Sequence, residues 1–332
     1  METEELSLSE IYGLAHQALS RAGADESNAD AVARTVADAE RDGANAHGLF
    51  RVPGYIAGLR SGKVNGRADP SPQTSGAVVR CDGQNGYAPL ALRRACDPLA
   101  DAALQNGIAA LALTKSHHFA ALWPETEALA ARGIAALACV CYLPSVAPAG
   151  GKTALFGTNP VSFAWPRGDM PPAVFDMATA AAAKGEVQIA AREGKPLPPG
   201  CGLDENGNPS TDAAAVLRGV LLPFGGYKGS ALAMMVELLA AALIGENFSF
   251  ESAEKDNKDG APPQGGELIV ALSPQTLAGD GWREHAESFL RKMEKMPGVR
   301  LPGARRHRNR QNAGPRKINA ELLAKIRKLT EE

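Results

Sequence analysis

The stretch "RDGANAHGLFRVPGY" holds the residues best suited to chemistry. His47, Arg51 and Tyr55 are spaced four apart in a run that is otherwise small and apolar. Positions four apart share one face of an α-helix, so the spacing predicts a common surface for the three. A histidine exchanges a proton near neutral pH, and an arginine holds a carboxylate with a planar fork of donors. Taken alone, the spacing reads first as a solvated polar stripe, and the rest of the chain must decide.

Further polar islands interrupt apolar segments. "TKSHHFAALWPE" puts His117 and His118 at the end of a strand-like run, where a loop can present them to a ligand. "FGTNP" and "FDMAT" place Thr158 and Asp176 at two more strand ends. "PFGGYKGSALAMMVELL" sets two glycines, Tyr227 and Lys228 directly ahead of a helix, an arrangement suited to a phosphate. Each also has an ordinary structural reading: a core histidine, an Asn-Pro turn, a capping aspartate, a glycine loop. No G-x-G-x-x-G follows a strand, so the common dinucleotide fingerprint is missing. "GGKT" ends like a phosphate loop but has Val146 where the first glycine is needed. No spacing of His, Cys, Asp or Glu specifies a metal.

The elements that must position these groups follow from periodicity. Ser7 and Glu10 form a capping box ahead of a helix through Ile11, Leu14, Ala15, Ala18 and Leu19, and Ser27 with Asp30 is expected to open a second through Val32 and Val36. "HGLFRVPGYIAGLRSG" reads as a third helical element with Pro53 near its start or at a kink. Strands are expected at "AVVRCDG", "IAALALT", "IAALACVCY" and "AVFDMA", and helices at "LALRRACDPLADAALQNG" and "PETEALAARG". That alternation predicts an α/β core. Residues 251 to 266 read as a mobile polar loop, followed by a strand "ELIVALS", a helix from about Trp282 to Met296, and a basic tail. Three regions result: an N-terminal helical part over 1–75 carrying His47 and Arg51, an α/β core over 76–280, and C-terminal helices with the tail over 281–332.

Composition narrows the class of partner. The 332 residues carry a formal charge of −2, which gives no argument for nucleic acid, although residues 301 to 332 hold nine Lys or Arg against three Glu. Five cysteines without a framework spacing suit a reduced, cytoplasmic setting. The start "METEELSLSE" is unlike a signal peptide, and the most apolar helix, "ALAMMVELLAAALIG", is interrupted by Glu237 and too short for a bilayer. These features predict a soluble protein with no membrane partner.

In order and spacing over nearly the whole chain, the islands resemble the malate/L-lactate dehydrogenase family of non-Rossmann NAD(P)-dependent oxidoreductases. "RDGANAHGLFRVPGY", "SHHFAALWPE", "LFGTNPVSFAWP", "VFDMAT", "GEVQIAAREGKPLP" and "LLPFGGYKGSALAMMVELLAAAL" look most like its Δ1-piperideine-2-carboxylate/Δ1-pyrroline-2-carboxylate reductases. The resemblance implies a mixed-sheet α/β fold, a homodimer, and NADPH-dependent reduction of a cyclic imino acid to L-pipecolate or L-proline, with NADH as a possible alternative. It implies His47 as proton donor, with Glu186 as its orienting carboxylate. Arg51, Thr158 and Lys184 are implied to bind the substrate. The cofactor is implied to lie along His118, Phe119, Ala120, Ala121 and Leu122, then Asp176, Met177 and Ala178, with Tyr227 and Lys228, and Arg305, Arg306, His307 and Arg308 closing over it. Arginines in "RRHRNR" would suit the 2′-phosphate of NADPH, and a solvated basic tail remains the other reading.

The chain departs from that subgroup at several points. Ala46 stands where Ser is expected before the histidine, Glu186 where Asp is expected, Lys184 and Tyr227 where His is usual, and Ala304 where Glu is usual. Loss of the hydroxyl removes a partner of the imidazole and bears on rate. Two other outcomes therefore stay open: a 2-hydroxy-acid dehydrogenase using the same histidine as base, and a weakened NADPH-binding relative.

Overall fold

A computed structural model of the chain describes residues 2–117 and 121–331. Its strands, in chain order, are β1 (Thr3–Leu6), β2 (Gln73–Ser75), β3 (Val78–Tyr87), β4 (Ile108–His117), β5 (Ala135–Val140), β6 (Val161–Arg167), β7 (Met170–Met177), β8 (Gly202–Leu203), β9 (Pro209–Ser210), β10 (Val220–Leu221), β11 (Gln264–Leu272) and β12 (Arg316–Asn319). The main sheet has seven strands in the order β2-β3-β4-β11-β5-β6-β7. Only β3 and β4 run parallel, and the other five pairings are antiparallel. The expected α/β core is thus a mixed sheet. "VSFAWPR" adds β6, a strand the alternation pattern passes over because Pro166 interrupts it, at a register shift between Trp165 and Arg167.

The first six helices are α1 (Leu8–Arg21), α2 (Glu26–Asp42), α3 (Val52–Arg60), α4 (Ala88–Asn106), α5 (Trp123–Ala130) and α6 (Lys184–Glu193). The capping box of α1 forms as expected, with both reciprocal bonds between Ser7 and Glu10 in place. α2 begins before Ser27, because the Asp25 side chain accepts the Asn28 N–H at 2.9 Å, and Asp30 instead pairs with Arg34 and Arg93. α2 stops at Gly43, whose φ of 74° gives the left-handed cap that glycine adopts most readily. The alanines of α4 allow close approach: Ala88, Ala91, Ala95 and Ala103 pack on Val79, Leu111 and Leu113 of β3 and β4.

Two expectations fail for physical reasons. The segment 251 to 266 is held rather than loose: Ser249–Glu254 is helical, β11 starts at Gln264, and the half-buried Lys63 ammonium pairs with Asp256 at 2.6 Å and Asp259 at 3.3 Å. The C-terminal basic segment is not a solvated tail. It forms a helix Ala304–Arg310, then β12, which pairs antiparallel with β1, then a helix Ala320–Glu331 that buries Leu323 and Ile326 against α1 and α3. Arg306, Arg310, Arg316 and Arg327 are spent on ion pairs and carbonyls, most of all Arg310, which bridges Asp42 of α2 and Glu127 of α5.

Candidate active site

His47 and Arg51 do not lie on one α-helix. Asn45–His47 and Leu49–Arg51 are separate 3-10 turns joined at Gly48, whose φ of −89° and ψ of −138° interrupt helical geometry. α3 begins only at Val52, with Pro53 in its first turn. The two side chains nevertheless meet in one cleft, whose cavity volume is about 340 Å³. Tyr55 belongs elsewhere. It is 1 % exposed, its ring lies 5.3 Å from that of Tyr87, and its carbonyl accepts the Tyr87 hydroxyl at 2.6 Å.

Arg51 is set in place from three sides. Its Nε donates to the Ala46 carbonyl at 2.7 Å, its guanidinium carbon lies 5.4 Å from the Phe50 ring centroid, and its Nη2 packs on Gly185, where a Cβ would come within 2.8 Å. Lys184, at the start of α6, lines the same cleft. Burial, then the neighbouring Arg51 charge, hold the Lys184 ammonium below its ordinary range, and Asp256 opposes this. Glu186, in the same first turn of α6, is exposed and also lines the cleft. Thr158 is buried at its wall, with its carbonyl accepting both the N–H and the hydroxyl of Thr179.

Trp123 forms the wall facing His47, with ring centroids 6.4 Å apart and planes near perpendicular. Its Nε1 donates to the fully buried Asp42 at 3.1 Å, and the Arg306 guanidinium lies 5.2 Å from its ring centroid. Asp176 accepts the backbone N–H groups of Leu122 and Trp123 at 2.7 and 3.1 Å, so its charge caps the start of α5. Met177 and Ala178, followed by Ala180 to Ala183, continue the lining with small or flexible side chains.

The remaining expected residues divide. Arg305 and Arg306 line the cleft, and Arg306 also donates to the Val174 carbonyl at 2.8 Å. His307 is turned to the Pro172 carbonyl at 2.9 Å, and Arg308 is exposed. Ala121 and Leu122 are buried and do not line the cleft, while Tyr227 and Lys228 stand exposed at the head of the helix Tyr227–Glu237 and do not line it either. His118, Phe119 and Ala120 lie outside the described residues. Trp123, Asp42 and Tyr142, which also lines the cleft, carry no signal in the sequence that marks them. Trp123 stands just ahead of the helix expected from Pro124, and nothing local links it to an aspartate far back in the chain.

The family model for malate/L-lactate dehydrogenase matches residues 6–327. The chain belongs to the malate/L-lactate dehydrogenase family. It is 43 % identical over 333 residues to a Δ1-pyrroline-2-carboxylate reductase of Ancylobacter novellus, covering 97 % of this chain and 98 % of that one. A (2R)-3-sulfolactate dehydrogenase (NADP+) of Chromohalobacter salexigens is 40 % identical over 309 residues, covering 93 % and 92 %. Among solved structures, the Δ1-piperideine-2-carboxylate reductase of Pseudomonas syringae superposes with a TM-score of 0.92 at 43 % identity, covering 98 % of this chain and 100 % of that one. The mixed sheet is therefore the family's fold, and the protein is an oxidoreductase of that family. No described helix is long and apolar enough to cross a membrane.

Proposed function

We propose that this family member reduces a cyclic imino acid, Δ1-piperideine-2-carboxylate or Δ1-pyrroline-2-carboxylate, to L-pipecolate or L-proline, with NADPH as reductant. The observation that carries this reading is the pair of cations, Arg51 and Lys184, in one cleft with a histidine. Burial first and Arg51 second disfavour the ammonium of Lys184, so an anionic substrate group would compensate the two cations. A carboxylate on the substrate meets that need, and the fork of Arg51 fixes its plane. The names of the A. novellus and P. syringae relatives support a C=N bond as the reacting group.

The run of small side chains from Ala178 to Ala183 leaves the cleft open to a flat ring, and the exposed Arg305 at its edge suits a phosphate, so the residues fit a nicotinamide dinucleotide. Asp176, Met177, Ala178 and Arg305 are the residues we assign to it, and Tyr227 and Lys228 to its outer phosphates. When bound, the cofactor supplies a hydride. The chain supplies the rest. Arg51 and Lys184 hold the carboxylate, Thr158 is assigned a hydrogen bond to the substrate, and His47 as imidazolium gives a proton to the imine nitrogen. Protonation makes the C=N carbon electrophilic, and the reduced product leaves with His47 neutral. Trp123, anchored by Asp42, excludes water beside the imidazole and limits its orientations. Glu186 is assigned the role of orienting carboxylate.

The sulfolactate dehydrogenase relative favours one second reading, a 2-hydroxy acid oxidised with His47 as base. We further infer a homodimer in the cytoplasm. Met234, Leu238 and Leu243 are 52, 51 and 66 % exposed along and just beyond one helical segment, an apolar stripe that a second copy would cover. Both cofactors assayed against the two imines and against malate, lactate and sulfolactate separate the readings. NADPH oxidation with the imines alone supports imine reduction. Turnover only with hydroxy acids refutes it.

A further inference from the structure

Beneath the cleft lies a buried carboxylate that the proposed reaction does not use. Glu40, in the last turn of α2, is 4 % exposed. It continues the buried spacing of Val32 and Val36, a place where a charged side chain needs a partner. One oxygen accepts the N–H of Leu49 at 2.8 Å. The same oxygen fills the space where a Cβ of residue 48 would go, so only glycine fits against it. Gly48 and Leu49 are the joint between the 3-10 turn that ends at His47 and the one that ends at Arg51.

We propose that Glu40 is the positioning residue of this site: its carboxylate clamps the Gly48–Leu49 joint and thereby sets His47 against Arg51. The inference rests on the roles given above to those two side chains. It also makes the site's geometry sensitive to pH. Burial pushes the Glu40 carboxyl up to about 7, against the opposing pull of the Leu49 N–H and the Arg316 guanidinium. The charged groups around it are few. From β12 come Arg316, whose terminal nitrogens donate to backbone carbonyls, and Lys317. From its own helix comes Arg41, paired with Asp38 and Asp42. The helix Ala304–Arg310 presents neutral Asn309, while its Arg310 is committed to Asp42 and Glu127. An ionised carboxylate accepts a stronger bond than a neutral carboxyl, so while Glu40 stays buried its bond to the Leu49 N–H tightens as pH rises through the Glu40 transition, even as the buried charge lowers global stability.

Glu40→Gln keeps the shape and an acceptor but cannot ionise, and Glu40→Ala removes the clamp. Hydrogen exchange of residues 44 to 51, corrected for intrinsic rates, is read by mass spectrometry at pH about 6 and about 8, spanning the transition. The parent protein should exchange this segment more slowly at the higher pH. Glu40→Gln should lose that dependence, and Glu40→Ala should exchange about tenfold faster at the higher pH while the main sheet stays protected. In the imine assay, the acid limb of kcat/KM should disappear in Glu40→Gln, with KM changing more than kcat. Unchanged exchange over 44 to 51 in both variants overturns the proposal, whatever the activity. If exchange responds and no imine is reduced, the clamp stands and the assigned reaction fails. Should Glu40→Ala not fold, Glu40→Gln alone decides.

Discussion

Replacing Arg51 by Lys separates charge from geometry at the carboxylate end of the cleft. The lysine keeps a positive charge but loses the fork, the Nε bond to the Ala46 carbonyl at 2.7 Å and the stacking on Phe50. A hydrogen bond to a charged group contributes roughly 1.5–3 kcal/mol. With Lys184 still present, the loss of one fork bond and of the tether that aims the other should total about 3 kcal/mol. At about 1.4 kcal/mol per tenfold, that is roughly a 100- to 200-fold fall in kcat/KM. Because the carboxylate is held before and during reduction, most of the loss should fall in KM, with a smaller part in kcat from misaimed substrate. Steady-state kinetics with both imines, beside a thermal melt, give the comparison. The melt should move little, since Arg51 is only half-buried. A kcat/KM within about tenfold of the parent would refute the clamp, because no bidentate carboxylate contact is lost so cheaply.

Further outcomes follow from the same structure. Asp42→Ala leaves the Trp123 indole N–H without its acceptor and the guanidinium of Arg310 with Glu127 alone, and should lower stability by about 1–3 kcal/mol, read by urea denaturation. Ala46→Ser tests the weakened reading. Ala46 is buried beside Gly185, and a large gain in kcat would mean that a hydroxyl next to His47 improves the orientation of its imidazole. Glu40 also predicts a pH dependence of stability. Its carboxyl ionises at an ordinary 4.5 when unfolded and at about 7 when folded, so its contribution is complete below pH 4.5 and falls as pH rises, by about 3 kcal/mol once the folded transition is passed. Chemical denaturation of parent and Glu40→Gln across that window should show the difference. Parallel curves would contradict it.

Much of the site is legible in the residue order, for uneven reasons. His47 and Arg51 announce their chemistry by type, yet the helix expected to join them is broken at Gly48, and tertiary contacts bring them to one cleft. The runs of β3, β4, β5 and β7 show as strands by their short apolar segments, while their mixed order, with β11 inserted between β4 and β5, depends on pairings far apart in sequence. The basic segment after residue 300 reads as a tail because its charges look solvated. Its partners, Asp42, Glu127 and the β1 edge, are distant along the chain. Glu40 does leave a trace in the residue order, a carboxylate four residues after Val36 on the buried side of α2, and helical periodicity alone marks it as a buried titratable group. What it grips is a backbone N–H nine residues on, which no side-chain pattern encodes.

If His47 protonates an imine nitrogen in a cleft that holds the substrate by Arg51 and Lys184, its removal must stop turnover and spare cofactor binding. This is tested most directly by comparing parent and His47→Ala for NADPH oxidation with Δ1-piperideine-2-carboxylate, alongside NADPH binding read by fluorescence. Robust turnover by the parent, a loss of about 100-fold or more in the variant and cofactor binding unchanged between them are expected. A His47→Ala variant that turns over like the parent would contradict that role for His47.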